Sequence, residues 1–198
     1  ISAKGARVFG NRIKNIQGRV SNKNAYAITF TSDASVAVAD GGRVSTDCMA
    51  YGNTIENVPT WNGLDTHGGD GIVFTGNMIR DCGFPIGVVS VSQPAGNSAV
   101  PPKNVVVAAN TIEYTLSIPN ASQNVGISVA GVPAGPIYAE NIIITGNTLR
   151  LCGIPGNSNA GAIKGTYTKG LAITGNTVIE PYCIGINPYT ENIGFTVS

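Results

Sequence analysis

A short unit recurs six times along this chain: a small residue, an asparagine, any residue and an aliphatic residue. The six copies start at Gly10, Gly52, Gly76, Ala109, Gly146 and Gly175. Successive copies are 24 to 42 residues apart, so the unit is constant while the loops between its copies differ in length. A unit repeated with loops of free length is typical of a solenoid, in which each repeat packs on its neighbours. Any function is then expected on the loops and the outer face.

The positions around each asparagine are also constrained. The residues five and three before it are apolar in all six copies, and the residue two after it is aliphatic. Side chains two residues apart point to the same side of a strand, so these positions predict short strands that bury one face. The asparagine itself is expected at a sharp corner in the left-handed conformation, with its amide bonded to the asparagine of the next repeat.

A third short strand is expected after each copy of the unit. Gly63, Gly87 and Gly126 are expected at equivalent positions of this strand, and each is followed by an apolar residue. Three strands per repeat predict an all-β fold, a right-handed parallel β-helix that forms a solenoid of about six rungs with three strands per rung. Residues 1–198 are predicted to form a single domain and to be a segment of a longer chain, because the repeat is already running at residue 6.

Charge and hydropathy exclude two classes of partner. Charged residues make up 12% of the chain and the formal net charge is +1, so the chain lacks the basic surface that nucleic-acid binding requires. No apolar run approaches the length of about 18 residues that a membrane span needs. We therefore predict no nucleic-acid partner and no membrane insertion.

One repeat carries polar residues that a solenoid scaffold does not need. The segment 61–70 contains the only tryptophan and the only histidine of the chain. Leu64 is expected to point inward, so Asp65 and His67 share the outward face of this strand. A carboxylate beside an imidazole can work as an acid–base pair. The tight glycine turn that follows would leave a notch here, with Asp65 and His67 at its floor and Trp61 at its wall.

The apolar columns and asparagine corners resemble those of the pectate-lyase-like superfamily of right-handed parallel β-helices, which includes bacteriophage tailspikes. Within that superfamily, Gly63-Leu64-Asp65-Thr66-His67 is similar to the Gly-Phe-Asp-Pro-His segment of the alginate epimerase and lyase branch. This resemblance implies that Asp65 and His67 lie in a catalytic groove. The chain departs from the branch at Asn62, where a proton-donating tyrosine is usual, and at Thr66. Asp-Thr-His-Gly rungs also occur in phage tail proteins of this fold.

These features predict a carbohydrate-active protein, a tailspike-type depolymerase acting on a surface polysaccharide, including one that contains uronates. As a lyase it would use His67 as the base, Asp65 to orient that base and a nearby arginine to neutralise the enolate. Trp61 would stack on a sugar ring. The other candidate substrate-binding residues are Asn62, Asp70, Lys23, Arg43 and Arg80.

Other functions stay open. A glycoside hydrolase would need two carboxylates about 5–9 Å apart, and Asp70 is the candidate for the second one. An epimerase is a further enzymatic alternative. The alternative from another class is a non-catalytic glycan-binding or structural tail-fibre segment. The resemblance also implies a homotrimer, located in a virion tail or secreted.

No cofactor or metal ion is predicted as part of the site. Hard cations such as Ca²⁺ bind carboxylates, and Asp65, Asp70 and Asp81 are acidic residues in or near the segment described above. A calcium ion held by these three residues is therefore an alternative that the sequence leaves open.

The four cysteines show no metal-binding spacing. Cys48, Cys82 and Cys152 fall at inward positions of the repeat, where a free thiol behaves as a small apolar side chain. We therefore predict three buried free thiols, with the environment of Cys183 left open.

Overall fold

The computed structural model describes residues 3–17, 24–32, 44–91, 99–115, 125–133, 137–153 and 160–198. These ranges contain no helix long and apolar enough to cross a membrane. Their strands are β1 (Arg7–Phe9), β2 (Arg12–Lys14), β3 (Ile28–Thr31), β4 (Met49–Tyr51), β5 (Thr54–His67), β6 (Val73–Thr75), β7 (Met78–Val89), β8 (Lys103–Ala108), β9 (Thr111–Glu113), β10 (Ile127–Ala130), β11 (Ala139–Thr145), β12 (Thr148–Arg150), β13 (Gly161–Thr174), β14 (Thr177–Ile179), β15 (Ile184–Ile193) and β16 (Thr196–Val197).

The strands pair in three parallel ladders. The first ladder stacks the strands that precede the asparagines: β1, β4, β6, β8, β11, the end of β13, and β16. The second stacks the strands that follow them: β2, the starts of β5 and β7, β9, β12 and β14. The third stacks β3, the ends of β5 and β7, β10, the start of β13, and β15. The fold is therefore all-β, with a mostly parallel sheet in an open, solenoid-like arrangement.

A ladder of asparagines runs along the corner between the first two ladders of strands. In each pair of neighbouring repeats, the backbone N–H and the side-chain Nδ2 of one asparagine both donate to the Oδ1 of the next, at 2.9–3.1 Å. From Asn53 onward, Nδ2 also donates to a backbone carbonyl of the preceding repeat, as in Asn110 to Phe74. The predicted asparagine ladder is confirmed. It joins Asn11, Asn53, Asn77, Asn110, Asn147 and Asn176.

The left-handed conformation lies one residue earlier than predicted. The six residues that precede these asparagines have φ between 53° and 66°, whereas none of the asparagines has a positive φ. Glycine adopts this conformation without steric cost because it lacks a Cβ. The turn is therefore made at the small residue, and the asparagine keeps an ordinary backbone while its side chain enters the ladder. Ala109 makes the same turn with a Cβ, at φ 53°.

The interior is apolar, as the columns predict. From the second repeat onward, the residues five and three before each asparagine are buried, and Ala6 and Val8 of the first repeat pack partly against them. Cys48, Cys82 and Cys152 are buried free thiols, which confirms that prediction; Cys183 is free and half-buried. Burial raises the pKa of the Cys82 thiol to about 12.

The third ladder has a different register from the one predicted. Asp65 of β5 pairs with Gly87 of β7, so Gly87 is not equivalent to Gly63. Val58 and Asn62 of β5 pair with Cys82 and Phe84 of β7. The register shifts because β5 has more residues between its two positions than β7 has between their partners. Glycines that look equivalent in the sequence are thus displaced by two positions, and this displacement brings a residue without a side chain next to Asp65.

Candidate functional site

The end of β5 presents its side chains alternately to the interior and to the outside. Leu64 belongs to the core, and Thr66 is buried with its hydroxyl donating to the Phe30 carbonyl at 2.8 Å. Asp65 and His67 occupy the alternate positions, as predicted, and the His67 Nδ1 lies 2.5 Å from the Asp65 Oδ2. The strand geometry therefore joins the two predicted catalytic residues directly.

Asp65 is fully buried, with a relative exposure of 0%. Three donors surround its carboxylate: Asn62 Nδ2 at 2.7 Å, Thr29 Oγ1 at 3.0 Å and His67 Nδ1. An ionised carboxylate can only accept hydrogen bonds, so His67 carries a proton on Nδ1. In the neutral imidazole the lone pair is then on Nε2, where it can accept a proton.

Asp65 does not lie at the floor of an open notch, which corrects the sequence-based expectation. The Asn62 side chain folds over it from the same strand, and Gly87 on the next strand leaves room for that fold. A Cβ at Gly87 would lie 2.3 Å from Asn62 Nδ2 and 2.8 Å from Asp65 Oδ1. The carboxylate is therefore sealed from solvent, while the His67 side chain keeps 25% of its surface exposed.

A cavity of about 140 Å³ opens above this pair. Its wall includes the Trp61 and Phe84 rings, which meet edge to face with centroids 5.2 Å apart. The position of Trp61 at the wall agrees with the sequence-based expectation. The residues that line the cavity are Trp61, Asn62, His67, Phe84, Gly87, Val89 and Ser128.

Asn62 holds an unusual position at this cavity. Its side chain is buried, with 4% of its surface exposed, and its Nδ2 donates to Asp65. Its Oδ1 is buried and accepts no hydrogen bond within the part of the chain that the structure describes. A buried acceptor without a partner destabilises a protein by about 1–3 kcal/mol, so this atom calls for an explanation.

Tyr26 is a site residue that the sequence reasoning missed. Its ring meets the His67 ring edge to face at 5.9 Å, and its hydroxyl accepts a hydrogen bond from Asn24 Nδ2 at 3.3 Å. Burial raises the pKa of the Tyr26 hydroxyl; the hydrogen bonds from Asn24 and Trp61 oppose the rise, and the charge of Asp65 adds to it. The pairing of Ile28 with Leu64 carries Tyr26 to this place. This pairing is the signal by which Tyr26 could have been found from the sequence, because it aligns position 26 with position 62.

Two other predicted residues lie away from this cavity. Asp70 pairs with neighbours of the first ladder and accepts a hydrogen bond from Asn104 Nδ2 at 2.7 Å. Arg80 lies in the second ladder, with its Nε 3.3 Å from the Glu113 carboxylate. Both are separated from His67 by a turn of the chain. The remaining candidates, Lys23 and Arg43, lie outside the described residues.

The calcium alternative does not fit the structure. Asp65 lies in the third ladder, Asp70 beside the first and Asp81 in β7, where the Asp81 carboxylate accepts hydrogen bonds from the Thr115 amide and hydroxyl. In the described ranges no three His, Cys, Asp or Glu side chains come close enough together to hold a metal ion. The alternative in which these three carboxylates hold one ion therefore has no support in the described structure.

One further charged group lies on the outer face of the third ladder. Asp65, Gly87, Ser128 and Lys164 are successive partners in the ladder, so Lys164 is three strand spacings, or about 14 Å, from Asp65. Burial lowers the pKa of Lys164. Its Nζ lies 4.7 Å from the centroid of the Tyr189 ring, a cation–π contact.

No protein-family model matches this chain, and no curated protein sequence is significantly similar to it. The chemistry of the site is therefore judged from its own groups. A buried carboxylate orients an imidazole, the imidazole can accept a proton through Nε2, and an aromatic wall stands beside it. This combination can position an organic ring and remove a proton from it.

Proposed function

We propose that the chain is a right-handed parallel β-helix of the pectate-lyase-like type, with a rung for each asparagine repeat and three strands per rung. The three ladders of parallel strands and the asparagine ladder support this architecture. We further propose that it is a tailspike-type polysaccharide depolymerase whose site is the cavity above Asp65 and His67. The observation that carries the proposal is the oriented His67–Asp65 pair at the base of an aromatic-walled cavity.

A lyase reaction fits this pair best. His67 takes a proton from the sugar carbon next to a uronate carboxylate, and the electron pair of that C–H bond moves into an enolate. The C–O bond one carbon further on then breaks as a carbon–carbon double bond forms, and the imidazolium returns its proton to the leaving oxygen. Asp65 holds the imidazole in the tautomer that begins this sequence. Trp61 provides an apolar surface for the sugar ring.

Hydrolysis is less well supported. A glycoside hydrolase needs a carboxylic acid and a second carboxylate about 5–9 Å apart. Of the described residues that line the cavity, none is acidic. Asp65 lies beneath the cavity and accepts three hydrogen bonds, so it has neither exposure nor a free position for a water or a sugar. Epimerisation would use the same proton abstraction without breaking the chain of the polymer.

Incubation with uronate-containing and capsular polysaccharides tests the proposal. The wild-type protein is expected to form products with unsaturated ends, detected by their ultraviolet absorbance, and no excess of reducing ends over them. His67→Ala is expected to abolish this product. Glu140→Gln is the matched control, because it removes a carboxylate charge on the first ladder, outside the cavity. Equal activity of wild type and His67→Ala would exclude this site. Binding without any product would favour the non-catalytic glycan-binding segment.

We also propose the assembly and location that accompany this function, a homotrimer in a virion tail or a secreted protein. The resemblance of the repeats to those of bacteriophage tailspikes supports this assembly. Sedimentation equilibrium of the purified protein is expected to give three times the monomer mass, and a monomer at all concentrations would contradict the trimer.

A further inference from the structure

A second polar group departs from the repeat on the outer face of the third ladder. The Nζ of Lys164 lies 4.7 Å from the centroid of the Tyr189 ring. A bulge places this ring: Pro188 and Thr190 pair with successive residues of β13, so Tyr189 between them has no partner in the ladder. A bulge adds one residue to a strand and redirects a side chain, often beside a functional site. The contact between Lys164 and Tyr189 is therefore a local addition to the scaffold.

The ammonium group of Lys164 has no counter-ion within the described part of the chain. Its side chain is half-buried, and none of the ion pairs among the described residues includes it. Burial lowers the pKa of Lys164 because it takes water away from the charged form. The Tyr189 ring attracts the ammonium group but does not neutralise its charge. An anion in contact with Lys164 would compensate for the lost hydration.

Lys164 and the catalytic pair lie on one continuous strip of the third ladder. Lys164 is three strand spacings from Asp65, or about 14 Å. The outward positions between the two sites carry short, uncharged side chains: Gly87, Val89, Ser128 and Ala130. A polymer chain that runs from His67 to Lys164 thus meets neither a charge nor a long side chain on its way.

We propose that Lys164 and Tyr189 form an anion-binding subsite, which takes a carboxylate of the polysaccharide chain whose reacting sugar lies at His67. The inference rests on the proposed function, because it adds a second and distant contact to the same substrate. The Tyr189 ring holds the ammonium group before the polymer binds, so less side-chain freedom is lost on binding. Binding then depends on the length and the charge of the polymer as well as on the sugar that reacts.

Other ligands fit this subsite less well. A neutral sugar hydroxyl accepts a hydrogen bond from an ammonium group, but it brings no charge to offset the desolvation of that group. A nucleic acid requires several cations that neutralise successive phosphates. At the paired outward positions of the third ladder that the structure describes, Lys164 is the only lysine or arginine.

Hexasaccharides with and without charge test the subsite by binding alone. The probes are hexamannuronate, hexagalacturonate and the same two sugars after reduction of their carboxyl groups to alcohols. All proteins carry His67→Ala, which prevents cleavage. Adding Lys164→Gln is expected to weaken binding of the acidic hexasaccharides about tenfold or more, because a hydrogen bond from a charged donor is lost. The reduced hexasaccharides are expected to bind both proteins equally. Isothermal titration calorimetry measures the affinities.

Matched variants separate charge from packing. Lys164→Arg keeps the charge and is expected to keep most of the affinity. Lys169→Gln removes another lysine of β13, which pairs with the first ladder, and should leave the affinity unchanged. Tyr189→Leu is expected to weaken binding several-fold, whereas Tyr189→Phe keeps the ring and the affinity. Equal affinity of the Lys164→Gln protein and its parent for the acidic hexasaccharides, or no binding of either one by the parent, would overturn the proposal.

Kinetics separate this subsite from the proposed lyase. On a uronate polysaccharide, Lys164→Gln is expected to raise KM about tenfold with little change in kcat, because the lost contact lies far from the reacting carbon. The difference is expected to vanish on a disaccharide, which does not reach from His67 to Lys164. Cleavage of the polysaccharide with the same KM in both proteins upholds the lyase and overturns the subsite. Binding that depends on Lys164, without any cleavage by the wild type, upholds the subsite and overturns the lyase.

Discussion

Two regions of the molecule bury asparagine side chains, and they treat them differently. In the asparagine ladder, Asn110 accepts two hydrogen bonds and donates two through its side chain, so no polar atom of the amide is left over. At the cavity, Asn62 is almost as buried, yet its Oδ1 accepts nothing in the described structure. Because the asparagine recurs at the same place in each repeat, its side chain can satisfy the hydrogen bonds of the asparagine in the next repeat. Where the repeat is broken, a buried polar atom has no partner among the described residues.

Replacing Asp65 with asparagine tests the cavity side of this comparison and should have the largest effect. The amide keeps one acceptor oxygen, and its NH₂ group in the place of Oδ2 meets the donors of Thr29 and His67, so it no longer holds the imidazole in the tautomer that leaves Nε2 free. We expect kcat on a uronate polysaccharide to fall by about 10³–10⁴-fold. Steady-state kinetics measure this fall, and circular dichroism checks that the fold is retained. A folded Asp65→Asn protein with wild-type kcat would show that the pair is not catalytic.

Replacing Asn110 with alanine tests the scaffold side. The change removes four side-chain hydrogen bonds and takes from the buried Asn77 backbone amide the oxygen to which it donates. The free energy of unfolding is expected to fall by about 3 kcal/mol or more. Urea denaturation measures it, with Asn11→Ala as control. Asn11 is at the exposed end of the ladder, so the control should lose about 1 kcal/mol or less. Similar losses at both positions would mean that burial does not set the strength of the ladder.

Two glycines sharpen the comparison further. An added Cβ at Gly87 would push Asn62 away from Asp65, so Gly87→Ala is expected to lower both kcat and stability, the latter by about 2 kcal/mol. An added Cβ at Gly52 meets no atom within 4 Å but is held at φ 62°. Gly52→Ala should therefore lower stability by about 1 kcal/mol, through backbone strain alone, and leave kcat unchanged. Activity assays and urea denaturation of both variants separate the two effects. An unchanged kcat in Gly87→Ala would contradict the role given to this close approach.

The core beneath both regions should respond to alkaline pH. Burial raises the pKa of Cys82 from its ordinary value of 9.0 to about 12, so this thiol stays protonated in the folded protein while it ionises in the unfolded chain. Its contribution to stability is complete below pH 9 and is lost as the pH rises toward 12. At pH 10 the loss is about 1 kcal/mol. Urea denaturation at pH 7 and pH 10 should therefore show a smaller fall in Cys82→Ala than in wild type by about this amount. An equal fall in both proteins would show that the thiol does not contribute.

Prediction succeeded where the relevant residues lie close to the asparagine corner. The apolar columns, the asparagine ladder and the buried Cys48, Cys82 and Cys152 all sit at fixed distances from the corner, so a local period was enough to place them. The turn residue was misplaced by one position. Asparagine and glycine both tolerate positive φ, and glycine tolerates it at lower cost.

Prediction failed where residues follow loops of variable length. The additional residues between Val58 and Asn62 shift the register of the third ladder, and alignment on glycines could not detect that shift. It therefore missed the approach of Gly87 to Asp65. For the same reason, the sequence analysis assigned Asp70 and Arg80 to the site. The chain turns after His67, so Asp70 lies beside the first ladder and Arg80 in the second.

The sequence by itself determined the all-β repeat, its buried asparagines and the neighbourhood of Asp65 and His67. These depend on alternation along one strand and on a unit that recurs with constant chemistry. Only the tertiary structure decided that Asp65 is sealed, that Phe84 and Ser128 come from two other strands to the same cavity, and that Tyr26 packs against His67. It also decided that Asn62 Oδ1 has no partner among the described residues. The reason is physical: contacts across a ladder depend on the register between distant segments, and that register is set by packing of the whole solenoid rather than by any local pattern.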